Sequence, residues 1–514
     1  MDEWRDLTVF SAALSSGLLP GVSASTVSRW ETGASAVSFE AVRGYESLLR
    51  LPPYSLVAVL DTVFRYYGPT GATAPRLARS RSDARTASRV IHETLLRAVG
   101  GDVLGGAEWD RLSALTVAHP PVVRDTRAVW WSEATRRLLI ETMISSGVSW
   151  MLRFEAMNRL LAHPLVGPEA VAAVRDILED GGTQSLVGTA CMFDASASSD
   201  ASALVMRYLA GTDDDRVFKG ALMACVRKIK FGHFHGPELA SISRIASDAA
   251  DCGVMRLNDE TQALAVSVLR QIPPTFQSRH GLRVLRTLKA RCSQAALVDE
   301  NRLLPAEPAT LVARRIADHA ASRAAVAGEE FVDPVLPLLV EEALFDPVFD
   351  VRLYASSLIH ATPYREWVAQ ALAVELAMAR RNQNAVMLTT LFEALRKLGG
   401  PRERVVIEGV VLDPGSTPAA ADTAAYALGH IGGASTERFW RRALSQHRAA
   451  WIHSANTVSA SVLDRLVYAI GMADASSGLL CELCADDRIP PKVKESARWW
   501  QGHSAALVAS RHTI

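Results

Sequence analysis

The sequence predicts an all-α protein, and three observations carry that expectation. After the first ~90 residues one helical pattern follows another with short loops between them, and no run of alternating β-branched residues marks a strand. Ala, Leu and Val are abundant while aromatics make up 7% of the chain, a balance that suits helices packed closely through small side chains. Finally, a large aliphatic residue or Thr recurs with Ala four positions later: Leu152/Ala156, Val217/Ala221, Thr261/Ala265, Val351/Ala355, Thr423/Ala427 and Val493/Ala497. Positions i and i+4 share a helix face, and Ala there lets a neighbouring helix approach.

The bulk numbers bound the function. With 514 residues the chain should hold more than one folding unit or one long repetitive one. Lys plus Arg equals Asp plus Glu, so the molecule as a whole has no field that would hold it on nucleic acid or membrane, and any such site must be local. The N-terminus, "MDEWRDLTVF", is acidic and lacks the pattern of a secretory signal. No stretch is apolar for the ~18 residues a membrane helix needs. The six cysteines are scattered and form no disulfide framework, which predicts a cytoplasmic protein, nucleoid-associated when bound to DNA.

Residues 1–68 read as short helices broken by Gly and Pro, and 69–88, rich in Pro, Ala, Ser and Arg, read as a linker. Residues 89–514 form the long helical zone. In "GVSASTVSRWETG", Ser23 can cap a helix by accepting a bond from an otherwise orphaned N–H, and Gly33 supplies the left-handed residue that ends it. Val27 and Trp30 lie on one face, suited to packing. Ser25, Thr26, Ser28 and Arg29 project from the others, where hydroxyls at a helix N-terminus can reach phosphates or bases and Arg29 a guanine edge or a phosphate. Next, Ser38 caps a second helix, with Val37 and Val42 placed as a hydrophobic staple and Tyr45, Leu48 and Leu49 continuing the stripe. After "LPP" a further helix follows, its expected buried face being Leu56, Val59, Leu60, Val63 and Phe64.

"VSASTVSRWETG" followed by "VSFEAVRGYESLLRLPPYSL" resembles the Cro/C1-type (XRE) helix-turn-helix regulators, especially actinobacterial ones, over about the first 65 residues. The resemblance implies that Ser23 caps the recognition helix and touches phosphate, that Ala24, Ser25 and Arg29 face bases, and that Thr26 and Ser28 support the groove contact. Val27 and Trp30 would be core and Glu31 structural. The sequence departs from the family in having one clear helix, "VFSAALSSGLLPG", before Val22. Charge is a second departure: Arg5, Arg29, Arg43, Arg50 and Arg65 against Asp2, Glu3, Asp6, Glu31, Glu40, Glu46 and Asp61 leave residues 1–68 at −2. The arginines that follow, Arg76, Arg79, Arg81, Arg85 and Arg89 against Asp83, add +4 and suit a segment that follows the DNA backbone, with a solvated linker as the alternative.

In the long zone, "DPVFDVRLYASSLIH" and "DTAAYALGHIGG" resemble HEAT repeats, helical hairpins stacked into an α-solenoid. The spacings of 44 residues from Val217 to Thr261 and 90 from Thr261 to Val351 approach one and two units of ~40–47, whereas the other gaps do not fit whole units. Acids precede the motif at Asp350 and Asp422, and bases follow its first position at Arg153, Arg352 and Lys494.

Other constellations read as structural. Cys481 and Cys484 are two packed thiols on one helix face, His233 and His235 lie in a loop between helices, each Trp pair is a core residue with an exposed partner, and Arg227, Lys228 and Lys230 are a solvated basic face. No phosphate loop, catalytic carboxylate pair or nucleophile elbow is present, so no cofactor and no enzymatic activity are expected. The reading is a sequence-specific regulator of transcription that binds double-stranded DNA as a homodimer, its solenoid supplying the dimer contact or a surface for a protein or small-molecule effector. The alternatives are an interaction scaffold with a degenerate head, and a small-molecule-gated sensor.

Overall fold

Alanine every fourth residue on an apolar face makes helices that can only be satisfied by other helices, and helices are the only regular secondary structure in the computed structural model among its described residues. Those residues are 6–17, 19–67, 83–212, 214–251, 255, 257, 259–291, 306–327, 334–346, 348–473, 477–503 and 505–514. The expected contacts of Arg76, Arg79 and Arg81, and most of the expected linker, lie outside them. The chain divides into two compact units, Met1–Ala170 with Ser510–Ile514, and Val171–Ala509.

The first unit holds α1 (Leu7–Gly17), α2 (Ala24–Glu31), α3 (Phe39–Leu48), α4 (Ser55–Tyr67), α5 (Ala84–Gly100), α6 (Gly106–Ala118), α7 (Pro120–Arg124), α8 (Ala128–Ile144) and α9 (Gly147–Ala162). Helix α5 begins inside the segment read as linker, because Asp83 caps it by accepting the Thr86 N–H at 2.8 Å. Helices α6 and α9 form the centre, with Trp109, Leu112, Leu152 and Ala156 buried. The end of the chain packs in this unit too: the Thr513 carbonyl accepts from Gly106 N–H at 3.1 Å and from the Ser149 hydroxyl at 2.8 Å.

The second unit contains α11 (Leu186–Cys191), α12 (Ser199–Gly211), α13 (Asp215–Lys230), α14 (Gly236–Ala250), α15 (Asp259–Gln271), α16 (Arg279–Arg291), α17 (Ala306–Val326), α18 (Leu336–Phe345), α19 (Phe349–Ala361), α20 (Arg365–Arg381), α21 (Ala385–Leu398), α22 (Pro401–Val411), α23 (Pro418–Ala427), α24 (Glu437–Ser454), α25 (Thr457–Ala473), α26 (Ser477–Ala485) and α27 (Pro491–Gln501), with α10 (Gly167–Glu179) carrying the chain into it. Consecutive helices pair as hairpins, among them α12/α13, α14/α15, α20/α21, α22/α23, α24/α25 and α26/α27. Alternate helices also stack, α13 on α15 and, in a longer row, α19, α21, α23, α25 and α27 in turn. This is the solenoid-like pattern of stacked hairpins.

All the second unit's Val-x-x-x-Ala motifs fall on these stacked helices. Ala221, Ala265, Ala355 and Ala497 are fully buried and Ala427 is nearly so, which is the close approach the spacing predicts. The motif therefore marks the stacked helices rather than a fixed repeat length, and the helices between motifs vary in number, which explains the unequal gaps.

The two ends of the unit meet. Gln184, just before α11, donates to the Asp464 carbonyl at 2.6 Å and its carboxylate at 2.9 Å, and accepts from Trp500 Nε1 at 2.8 Å. Arg216 at the start of α13 pairs with Asp464 on α25 at 3.2 Å, and Lys492 donates to Asp214 at 2.8 Å. These bonds join the first helices of the unit to its last.

Of the basic run at the end of α13, only Lys230 is exposed as expected of a solvated face. Arg227 and Lys228 are buried, Arg227 pairing with Asp194 at 3.1 Å and Lys228 donating to the Ser196 carbonyl at 2.5 Å. These partners lie more than 30 residues away in a turn the helical pattern does not announce. His233 and His235 do lie in the α13–α14 loop. Burial first, and then the charges of Lys228 and Arg227, push the His233 imidazole down to about 4. The unfolded chain takes up this proton near the ordinary value of 6.5 and the folded chain only near 4. Stability from His233 is thus complete above pH 6.5 and is lost as pH falls towards 4. Urea unfolding of His233→Gln should show about 2 kcal/mol less decline over that interval than the parent chain, after allowance for solvent screening.

Candidate nucleic-acid interface

Helices α1 to α3 build a small bundle around the opening motif. Phe10, Leu14 and Val27 form its core, with Leu19, Val22, Trp30, Tyr45 and Leu48 packed against them. Phe10 and Tyr45 meet edge to face at 4.8 Å. Val27 and Trp30 therefore face inward as the spacing required, and that fixes what the rest of α2 presents outward.

Ser23 is the N-cap of α2: extended in conformation, it accepts the Thr26 N–H at 3.3 Å. Its hydroxyl also meets Ser25 Oγ at 2.9 Å and Thr26 Oγ1 at 3.0 Å, so three hydroxyls cluster at the helix N-terminus. Ser23 and Ser25 are exposed, Ala24, Thr26 and Ser28 half-buried, and Arg29 exposed. The Arg29 guanidinium enters no hydrogen bond or ion pair with the described residues. At the other end Gly33 is left-handed at φ +72°, a conformation that would strain any side chain, and lets the chain leave towards α3. Glu31 accepts from Tyr45 Oη at 3.2 Å, tying the end of α2 to α3 and helping burial to push the Tyr45 phenol up. Ser23→Ala should lower stability by about 1 kcal/mol, read by chemical denaturation of the full chain.

Ser38 caps α3 through the Ala41 N–H at 3.1 Å, and Val37 and Val42 share a second small core with Val57, Tyr54 and Leu56. The buried Glu46 carboxylate receives the N–H groups of Tyr54 at 2.8 Å, Leu56 at 2.7 Å and Val57 at 3.1 Å, and also pairs with Arg43. A carboxylate at the positive end of α4 fixes where that helix starts.

Helix α4 departs from the expected burial. Besides Val57, Ala58 and Val59 it buries Asp61, Thr62 and Arg65, because this face lies against α9. Arg65 Nε reaches both oxygens of Glu155 at 3.0 Å, and Thr62 Oγ1 donates to Glu155 at 2.9 Å. Arg159 donates to Asp61 and to Asp110 of α6, each at 2.6 Å. The bundle is therefore docked on the helices that follow by a buried ionic network.

This docking changes the charge of the exposed bundle. With Glu46, Asp61 and Arg65 internal, the described residues outside the core leave Arg29, Arg43 and Arg50 against Asp6, Glu31 and Glu40. Internal Glu46, Asp61 and Arg65 account for one of the two negative charges in the deficit, and the other belongs to Asp2, Glu3 and Arg5, outside the described residues.

Among the described residues no group of His, Cys, Asp and Glu is placed to hold a metal ion. Cys481 and Cys484 share α26, where Gln501 donates to Cys481 Sγ at 3.0 Å and accepts from Cys484. No described helix is long and apolar enough to cross a membrane.

Comparison with family models, with curated proteins and with solved structures finds no match to this chain.

Proposed function

We propose that the chain is a sequence-specific DNA-binding regulator of transcription that reads double-stranded DNA through α2. The observation that supports this best is the division of α2 into two faces. Val27 and Trp30 anchor it, while a hydroxyl cluster at the N-terminus and an uncommitted Arg29 one turn on lie on its outer side. That is the geometry by which a short helix enters a major groove, hydroxyls meeting phosphates at its N-terminus and arginine meeting a base edge. A single head of this size buries too little to hold one site tightly, so the active form is a homodimer reading two half-sites about one DNA turn apart.

Selection of genomic DNA fragments by the purified full-length protein at ~150 mM salt tests the reading. Recovery of a recurring inverted motif supports it. Recovery of unrelated fragments, or none, overturns it and leaves the bundle as the degenerate head of an interaction scaffold.

A further inference from the structure

Helix α26 brings two thiols of unlike surroundings to one side chain. Cys481 and Cys484 stand three residues apart on one helix face, Cys481 exposed and Cys484 half-buried. Among the described cysteines Cys481 is the only exposed one, Cys191 and Cys225 being buried. A single amide at the end of α27 serves both thiols of α26: Gln501 Nε2 donates to Cys481 Sγ at 3.0 Å, and Gln501 Oε1 accepts from Cys484 Sγ at 3.4 Å. An N–H aimed at sulfur suits a thiolate, whereas an amide oxygen suits an S–H. Burial, opposed by the nearby Arg498 and Lys494, pushes the Cys484 thiol up, in keeping with its place as donor.

The local backbone allows the two sulfurs to join. Side chains three apart on an α-helix have Cβ atoms about 5–6 Å apart, and a disulfide needs about 3.5–4.5 Å. Winding the last turn as a 3-10 helix, in which such side chains eclipse, closes that gap. Cys484 lies in the last turn of α26, and just past it the chain already makes a bond of this span, from Asp486 N–H to the Leu483 carbonyl at 3.4 Å.

We propose that Cys481 and Cys484 are a peroxide-sensing thiol pair, Cys481 the sulfur that is oxidised and Cys484 the one that resolves it. The Cys481 thiolate attacks one peroxide oxygen, forming an S–O bond as the O–O bond breaks, and the departing hydroxide takes up a proton. The Cys484 sulfur then attacks Cys481, forming the S–S bond, losing its proton and expelling the sulfenic oxygen as water. Two thiols lose two electrons and one peroxide becomes two waters. Exchange with an external dithiol resets the pair. Gln501 is a positioning residue, and the disulfide releases its amide. The next residue back, Trp500, carries the indole N–H that meets Gln184, so oxidation loosens the join between the last helices of the unit and its first.

The test treats the reduced full-length protein with equimolar hydrogen peroxide, without DNA, and maps its peptides by mass spectrometry. Its outcome is therefore independent of the reading head. The expected product is a disulfide between Cys481 and Cys484 of one chain, reversed by dithiothreitol. Cys484→Ser should leave on Cys481 a sulfenic acid that dimedone traps, and Cys481→Ser should leave Cys484 a thiol. Gln501→Leu should slow the first step about tenfold, the weight of one hydrogen bond to a charged group, with an unchanged far-ultraviolet circular dichroism spectrum. Amides at the end of α26 and in α27 should exchange with deuterium faster in the oxidised chain. A Cys481 that stays a thiol, passes straight to sulfinic acid or joins a second chain overturns the proposal, and so does dimedone trapping at Cys484. An unchanged rate in Gln501→Leu overturns the role of Gln501, and unchanged exchange overturns the coupling to α27.

Discussion

Arg159→Ala should lower the unfolding free energy of the first unit by about 3–5 kcal/mol, the largest single effect expected anywhere in the chain. Arg159 is buried between Asp61 of α4 and Asp110 of α6, donating to both at 2.6 Å, and Glu155 lies close by. Removing it strips both buried carboxylates of a guanidinium donor. The cost comes from those stranded charges rather than from the bond itself. Replacing the whole set with apolar residues of similar size, Asp61→Leu and Asp110→Leu together with Arg159→Met, should therefore restore most of the loss. Urea denaturation of the single and triple variants separates the two. A single variant within 1 kcal/mol of the parent would show that the network contributes little.

The second large effect is on recognition. Arg29→Ala should weaken binding to the selected DNA site by about 1–3 kcal/mol, roughly five- to more than a hundredfold, while leaving stability within ~0.5 kcal/mol. Arg29 is exposed and bonded to nothing among the described residues, so its removal should not disturb the bundle. Fluorescence anisotropy on the selected site and on a scrambled duplex distinguishes its roles. A loss confined to the selected site identifies Arg29 as a base reader. An equal loss on both assigns it to the phosphate backbone, and no loss on either removes α2 from the interface.

What could be read from the sequence was local. Ser23, Ser38 and Gly33 announced the ends of α2 and α3 because caps and left-handed glycines act within four residues of their own position. The Val-x-x-x-Ala spacing announced the helical stack because a helix face repeats at that interval. What could not be read depends on partners far apart in the chain. Asp61 and Arg159 are 98 positions apart, Gln184 and Asp464 are 280, and no periodicity in either segment marks such a pairing. The same cause misplaced the charges. Arg65, Arg227 and Lys228 look like any basic residue on a helix, and only the distant acid or carbonyl that meets each one shows it to be internal. Of the candidate interface, the two faces of α2 were legible in Val27, Trp30, Ser25 and Arg29. The fixed attachment of the bundle through α4 was not, since the apolar pattern of Leu56, Leu60 and Phe64 pointed to the opposite side.

The join between the two ends of the second unit bears on how it comes apart. An open solenoid loosens from its termini, where each last repeat is held by one neighbour only and an outer cap must shield an apolar face. Here Gln184 and Arg216 are joined to Asp464 and Trp500, so α13 and α27 each meet a second neighbour. Releasing either of these breaks two interfaces at once. Fraying should give way to concerted unfolding, and backbone amides in α13 and α27 should exchange with solvent deuterium as slowly as those in α21.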